Sequence, residues 1–277
     1  MNPSVVPPSP QDIAHPEAQA SHAGALRRDA ARDLLVAAVA VVASSIGLAL
    51  VAGFGADYTA KATVLFALGA WLVWRGLGHT DASGPAHPHP RFGPANRITL
   101  LRLGGLALVA ALVGEAVPSA PPAALPAAAW TLVVLATLVA VLDAADGALA
   151  RRSGLASRFG ARFDMETDAA FTLVLCALVV QAGQAGAWVL ASGLMRYGFV
   201  AVAAALPWLN GPLPPSKRRQ TVCVVQITAL IICLGPIVPP WLSSALAAVS
   251  LALLGWSFAI DVLHLAKTRH HFREIRP

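Results

Sequence analysis

The chain has 277 residues, of which 57% are hydrophobic and only 12% carry a charged side chain. A soluble domain of this length would have roughly a quarter charged residues, so this composition and a mean hydropathy of +0.66 exclude an ordinary soluble protein. The formal net charge of +6 fits the basic cytoplasmic margins of a membrane protein. We expect no nucleic-acid partner, because the chain has no stripe of interleaved aromatic and basic residues.

The N-terminal segment, residues 1–33, is rich in Pro, Ala and Ser and shows no apolar period. This composition predicts a disordered cytoplasmic tail. It does not resemble a signal peptide, since the basic cluster at 27–32 comes late and no cleavage-type flank follows the apolar run.

Eight apolar runs follow the tail, each near the length of about 20 residues that a membrane-spanning helix needs. The fold class predicted is all-α, a polytopic bundle of membrane helices. The runs lie near residues 34–54, 60–77, 97–116, 126–145, 166–184, 186–206, 220–238 and 241–264.

Basic residues support this number of spans. They cluster at 27–32, 91–102, 151–162, 217–219 and 267–276, whereas the intervening turns carry only Lys61. With eight spans every basic cluster lies on one side of the membrane, and the positive-inside rule makes that side the cytoplasm.

The Gly- and Pro-rich segment "GLGHTDASGPAHPHPRFGPANR" cannot form a continuous helix. It predicts a two-helix membrane extension at 34–78, a linker at 79–93, a six-helix core at 94–266 and a basic cytoplasmic tail at 267–277. The extension could serve in dimerisation, guide a lipid or be inert. The histidines of "HPHP" and "RHHF" lack the spacing of metal ligands on a helix face.

Acidic residues concentrate in the stretch from 143 to 168, although carboxylates near a bilayer are costly. At 100° per residue, Asp143 and Asp146 share one helix face with Gly147 and Ala150. The small residues on that face leave room for a ligand or for close helix packing.

Gly160, Asp164 and Asp168 are spaced four residues apart and also share a face. A short basic turn separates the two segments, so we predict consecutive antiparallel helices whose four aspartates converge in one cleft. Converging carboxylates repel unless a cation neutralises them. Oxygen ligands suit Mg²⁺, Mn²⁺ or Ca²⁺, and shared aspartates can bridge two metal ions.

The full pattern is Asp-x2-Asp-Gly-x2-Ala-Arg-x8-Gly-x3-Asp-x3-Asp. It is filled by Asp143, Asp146, Gly147, Ala150, Arg151, Gly160, Asp164 and Asp168. The pattern resembles the signature of the CDP-alcohol phosphatidyltransferase family at all eight defined positions.

A second stretch, "PANRITLLR", places Asn96, Thr99 and Arg102 three residues apart. It is similar to the Pro-Asn-x-x-Thr-x-x-Arg element of the same family, with Pro94 displaced by one residue. In that family the element helps to bind the cytidine nucleotide.

The resemblance implies a reaction on a CDP-alcohol, most simply CDP-diacylglycerol, in which an alcohol attacks the β-phosphorus and CMP leaves. It implies two Mg²⁺ or Mn²⁺ ions held by Asp143, Asp146, Asp164 and Asp168. Asp168 would also be the catalytic base. The nucleotide and diphosphate would meet Asn96, Thr99, Arg102, Gly147, Ala150, Arg151 and Gly160.

No motif in the sequence identifies the acceptor alcohol. Family members carry basic residues where this chain has Arg196 and Lys217, although Arg218 and Arg219 compete with Lys217. These residues would suit a phosphorylated acceptor, glycerol 3-phosphate first. Inositol phosphate, serine or a second lipid alcohol remain open.

Two other acidic residues have plainer interpretations. Glu166 lies about 200° from Asp164 on its helix and should point away from the cleft. Asp261, near the end of the last span, is expected to pair with His264 or Lys267.

The alternative function is a metal-binding membrane transporter or a non-catalytic scaffold of the same fold. Transporters usually place acids at mid-membrane on broken helices, whereas these acids lie at the basic margin. The composition suggests a bacterial inner membrane with the active site on the cytoplasmic side, and the resemblance suggests a homodimer.

Overall fold

The computed structural model describes the backbone of residues 16–81, 84–115, 125–153, 155, 157–211 and 213–274. Side chains are described for 22–80, 85–115, 129–143, 155, 157–211 and 213–268. In this part of the chain there are eight α-helices: α1 Pro16–Ala52, α2 Ala56–Leu77, α3 Pro94–Ala110, α4 Leu125–Ser153, α5 Arg158–Gln181, α6 Leu190–Ala205, α7 Lys217–Cys233 and α8 Pro240–Glu274. Two short 3₁₀ helices, Ala187–Val189 and Pro207–Asn210, flank α6.

The helices follow the eight predicted apolar runs in order, so the all-α prediction is confirmed. The described strands are a single antiparallel pair of two residues each, β1 Thr80–Asp81 and β2 Gly84–Pro85, within the predicted linker.

Four stretches are long and apolar enough to cross a membrane: His22–Ala52, Ala56–Leu77, Ala187–Ala205 and Pro240–Thr268. They expose large apolar side chains such as Leu50, Val51 and Trp241, as expected where a helix meets lipid. The protein is therefore an integral membrane protein. The helices α3 and α7 have 17 residues each, somewhat short of the usual span.

The beginning of α1 corrects one prediction. The sequence predicts a disordered tail at 1–33, but residues 16–33 are helical, and Leu26 and Ala30 are buried. These two residues are four apart and lie on one helix face, a pattern too short to stand out in a polar, Ala-rich segment. Residues 1–15 lie outside the described part of the chain.

The extension made by α1 and α2 packs directly onto α3. Its buried side chains include Val41 and Tyr58, which lie in one apolar cluster with Leu100 of α3 and Phe163 of α5. The Tyr58 hydroxyl donates to the carbonyl of Leu108 over 3.1 Å.

A second apolar cluster lies on the other side of α3. It contains Val109 of α3, Val139 of α4, Leu175 of α5, Leu230 of α7 and Ala247 of α8. Since α3 and α5 contribute to both clusters, these two helices join the extension to the rest of the bundle.

The segment between α2 and α3 is tied to α1 by hydrogen bonds. Asp29 accepts from the backbone N–H of Phe92 over 2.9 Å, and Arg97 donates to Asp29 and Asp33 over 3.1 and 2.7 Å. Gly93 has a φ of 89°, a conformation that favours glycine. The chain turns sharply there to enter α3.

We predict that Asp29→Ala lowers the free energy of unfolding by about 1–3 kcal/mol, because the buried backbone N–H of Phe92 loses its acceptor. The measurement is the thermal unfolding midpoint of the purified protein in detergent. Arg32→Ala, at an exposed position one turn away on α1, is the matched control. Equal midpoints for the two variants would contradict the role of this contact.

Candidate active site

Three carboxylates converge between α4 and α5. Asp143 lies on α4, while Asp164 and Asp168 lie one turn apart on α5, and each offers an oxygen within 4.8 Å of the others. All three are partly buried. The predicted convergence is confirmed for these three residues.

The other residues of the acidic motif on α4 are described by their backbone alone. The backbone of α4 remains helical to Ser153. The side chains of Asp146, Gly147, Ala150 and Arg151 lie outside the described residues.

Arg102 of α3 lies among the three carboxylates. Its guanidinium is 2.8 Å from the Oδ1 of Asp143 and 2.5 Å from that of Asp164, and it also pairs with Asp168. The residue is fully buried. The structure thus places the arginine of the element "PANRITLLR" against the acidic motif.

The charges of the described side chains in the carboxylate cluster do not balance. Among the described side chains, Arg102 is the cation paired with these carboxylates, so one positive charge faces three negative ones. Excess negative charge in a partly buried site is unfavourable without further compensation. The site therefore favours an additional cation.

The donor set fits a hard divalent cation. Carboxylate oxygens are preferred by Mg²⁺ and Mn²⁺, and ligand oxygens on one Mg²⁺ lie roughly 3–4 Å apart. The separation of up to 4.8 Å between Asp143, Asp164 and Asp168 is close to this. The cluster is thus consistent with a divalent-metal site.

The start of α3 also contacts the start of α5. Asn96 is buried and donates to the carbonyl of Phe92. A Cβ on Gly160 would lie 2.7 Å from the Oδ1 of Asn96, closer than side-chain atoms can approach. Gly160 therefore allows α3 and α5 to approach. Thr99 is also buried and donates to the carbonyl of Ala95 over 3.2 Å.

The linker contributes a residue that the sequence did not single out. His87 is buried, with Nδ1 2.8 Å from the Oγ of Ser157 and Nε2 2.8 Å from the carbonyl oxygen of Arg91. Burial lowers the pKa of His87, which favours the neutral ring. In that form Nε2 donates to the Arg91 carbonyl and Nδ1 accepts the Ser157 hydroxyl.

Ser157 is the N-cap of α5. Its Oγ accepts from the backbone N–H of Gly160 over 3.0 Å. His87 thus orients the cap of the helix that carries Asp164 and Asp168. A serine before an apolar-periodic run is a recognisable N-cap signal, but its partner lies 70 residues earlier.

Arg196 lies away from the carboxylate cluster. Its described ion pair is with Glu166, which faces away from the aspartates as expected. Lys217 is exposed at the first position of α7. The structure does not bring either basic residue into the cluster.

The prediction for Asp261 is wrong. Its partners are Arg218 and Arg219 of α7, at 2.5 and 3.4 Å, and neither His264 nor Lys267 among the described residues. The favourable pairs cross between α7 and α8, which pack side by side. The same pairs engage Arg218 and Arg219, the residues that competed with Lys217 for the acceptor.

Gln226 of α7 is a further candidate that the sequence analysis missed. It is 2% exposed, and neither side-chain amide atom has a hydrogen-bond partner among the described residues. Burying an amide without partners is costly, so this side chain is available to a ligand. Its signal is a glutamine in the middle of an apolar run.

Fold and site together define a class: a helical integral membrane protein with an oxygen-only carboxylate cluster held between adjacent helices. Residues 92–260, more than half of the chain, match the CDP-alcohol phosphatidyltransferase family, and the chain belongs to this family. No curated protein and no solved structure matches the chain itself. The chain is therefore an enzyme of phospholipid synthesis that transfers a phosphatidyl group from a CDP-alcohol.

We predict that Gly160→Ala lowers turnover at least tenfold, because the new methyl group would lie 2.7 Å from Asn96 and push α3 away from α5. The measurement is CMP release at saturating substrate. Ala161→Ser, which adds one atom at an exposed position on the same turn, should retain activity. Full activity in Gly160→Ala would show that the close approach is not needed.

Proposed function

We propose that this enzyme transfers the phosphatidyl group of CDP-diacylglycerol to glycerol 3-phosphate and releases CMP. The observation that carries the proposal is the meeting of Arg102 with Asp143, Asp164 and Asp168 inside the family-matched region. Apolar surfaces on the spanning helices give the acyl chains of such a donor a route from the bilayer.

The reaction is a displacement at the β-phosphorus. The acceptor hydroxyl oxygen forms a bond to that phosphorus, the bond to the bridging oxygen breaks, and CMP leaves with the bridging oxygen. Asp168 accepts the hydroxyl proton as general base, a contribution of about 10²- to 10⁴-fold. Its ion pair with Arg102 orients the carboxylate toward the cluster.

Asp143, Asp146, Asp164 and Asp168 would hold two Mg²⁺ or Mn²⁺ ions. When bound, these ions would stabilise negative charge on the phosphoryl oxygens. Arg102 contributes a fixed positive charge from α3 and keeps the carboxylates of α4 and α5 together.

The nucleotide and diphosphate are assigned to the motif residues of α3, α4 and α5 that the family resemblance implies. The assigned residues are Asn96, Thr99, Arg102, Gly147, Ala150, Arg151 and Gly160. Support comes from the contact of Asn96 with Gly160 and of Arg102 with the aspartates. Burial of Asn96 and Thr99 favours an indirect role through the start of α3.

The acceptor phosphate is assigned to Arg196 and Lys217. Arg196 is bound to Glu166, whose side chain is 52% exposed, so a phosphate dianion can replace that carboxylate as its partner. A guanidinium binds phosphate in bidentate fashion.

For the membrane arrangement we propose eight spans, with the six-helix core at 94–266, the linker at 79–93 and the two-helix extension at 34–78. The basic clusters favour a cytoplasmic position for both chain ends and the active site, and the Ala- and Pro-rich composition favours a bacterial inner membrane. A homodimer is expected from the family.

The first test measures CMP release by the purified protein with CDP-diacylglycerol, Mg²⁺ or Mn²⁺, and single acceptors. We expect Asp143→Asn, Asp164→Asn and Asp168→Asn each to lower turnover by at least about 10²-fold, and a chelator to abolish it reversibly. Asp57→Asn, at the exposed start of α2, is the control. Retained activity in any of the three variants would overturn its assigned role.

The second test concerns the acceptor. Arg196→Ala should raise the KM for glycerol 3-phosphate roughly tenfold, the value of one charge-assisted contact, and leave the KM for CDP-diacylglycerol unchanged. Arg32→Ala is the control. An equal change in both KM values would exclude a specific contact between Arg196 and the acceptor.

A further inference from the structure

A second charged site lies where the extension meets the core. A cleft of about 500 Å³ is lined by Arg75 at the end of α2, His79 just after it, and Arg158, Phe159 and Arg162 at the start of α5. We call it the basic cleft. Arg75 and His79 precede the family-matched region, which begins at residue 92, so this site is formed with the added helices.

The basic cleft is distinct from the carboxylate cluster. Arg158 and Arg162 are four residues apart and share one face of α5, whereas Asp164 lies about 200° from Arg162 around the helix. One face of α5 thus carries acids toward α3 and α4. Another face carries arginines toward α2.

The charge in the basic cleft is strongly positive. The described residues lining it include three arginines and a histidine but no carboxylate. Where side chains are described, neither Arg75 nor Arg162 forms an ion pair. Neighbouring guanidinium groups repel, and a phosphate that accepts from several of them relieves this repulsion.

The walls of the cleft are fixed on both sides. The backbone N–H of Phe159 donates to the carbonyl of Ala86 over 3.0 Å, and its ring packs edge-on against His87 at 5.9 Å. A Cβ on Gly76 would lie 3.0 Å from the Phe159 ring. The linker and α2 thus both contact the first turn of α5, and the arginines project from fixed backbone.

The position of the cleft indicates a lipid. The guanidinium of Arg75 lies 4.9 Å from the ring centroid of Trp71, and this ring and the neighbouring Leu72 are exposed. Tryptophan and arginine at the end of a spanning helix are typical of the headgroup region. Basic pockets between membrane helices on the cytoplasmic side bind anionic headgroups.

We propose that the basic cleft binds the phosphate of an anionic phospholipid. The bound phosphate links Arg75 of the extension to Arg158 and Arg162 of α5, the helix that carries two of the catalytic carboxylates. This lipid is separate from the reacting donor and holds the extension against the core.

The test uses the full-length protein in nanodiscs of phosphatidylcholine alone or with phosphatidylglycerol. The readouts are the thermal unfolding midpoint and the amount of phosphatidylglycerol retained through purification. We expect phosphatidylglycerol to raise the midpoint of the unaltered protein. The double variant Arg75→Gln/Arg162→Gln should lose this rise and bind the lipid roughly fivefold more weakly for each arginine removed.

Arg32→Gln removes an exposed arginine of α1 outside the cleft and should keep the full response. If the double glutamine variant does not fold, Arg75→Lys/Arg162→Lys keeps the charge but loses the planar donors, and should show a reduced response. Because these readouts need no turnover, they remain valid if the proposed reaction is wrong.

Three outcomes would overturn the proposal. The first is an equal phosphatidylglycerol response in the double variant and the control. The second is equal stabilisation by phosphatidylcholine, which would indicate apolar contacts alone. The third is a matching rise from inorganic phosphate in phosphatidylcholine nanodiscs, which would assign the cleft to a soluble phosphate.

Discussion

The ion pairs of Arg102 are the interaction on which the rest of the structure depends. A buried guanidinium from α3 contacts carboxylates from α4 and α5, so three helices must meet at one point. Buried charges are tolerated only when they are closely paired. The arrangement therefore constrains how α3 is positioned against α4 and α5.

The chain before α3 supports this meeting point. Asp29 of α1 accepts a hydrogen bond from the backbone N–H of Phe92. Asn96 donates to the carbonyl of Phe92 and packs against Gly160 of α5. From the linker, His87 orients Ser157, the cap of α5. The extension and linker are therefore bound to the two helices that present Arg102, Asp164 and Asp168. This argues against an inert extension.

Two charged sites lie on different sides of α5 within its first three turns, although Glu166, which pairs with Arg196, follows the arginines on their side. The side toward α3 presents carboxylates and suits cations, while the side toward α2 presents arginines and suits phosphate. Such a separation keeps an acidic site and a basic site close together without direct neutralisation. With this arrangement, a membrane enzyme that acts on charged headgroups can bind a structural lipid close to the lipid that reacts.

The sequence by itself determined the helices and the acidic site. Apolar runs and the spacing of Asp143, Asp164 and Asp168 are local patterns, and helix geometry converts spacing directly into a shared face. The order of all eight helices followed from the apolar runs, and the convergence of the three aspartates followed from their spacing. The orientation of Glu166 followed from the same arithmetic.

Only the tertiary structure decided which distant residues meet. The pairing of Arg102 with three aspartates, of His87 with Ser157 and of Asp261 with Arg218 joins residues 41 or more positions apart. Such contacts depend on how helices pack, which periodicity along one helix does not encode. The helical start of α1 was missed for the same reason, because its burial comes from neighbours elsewhere in the chain.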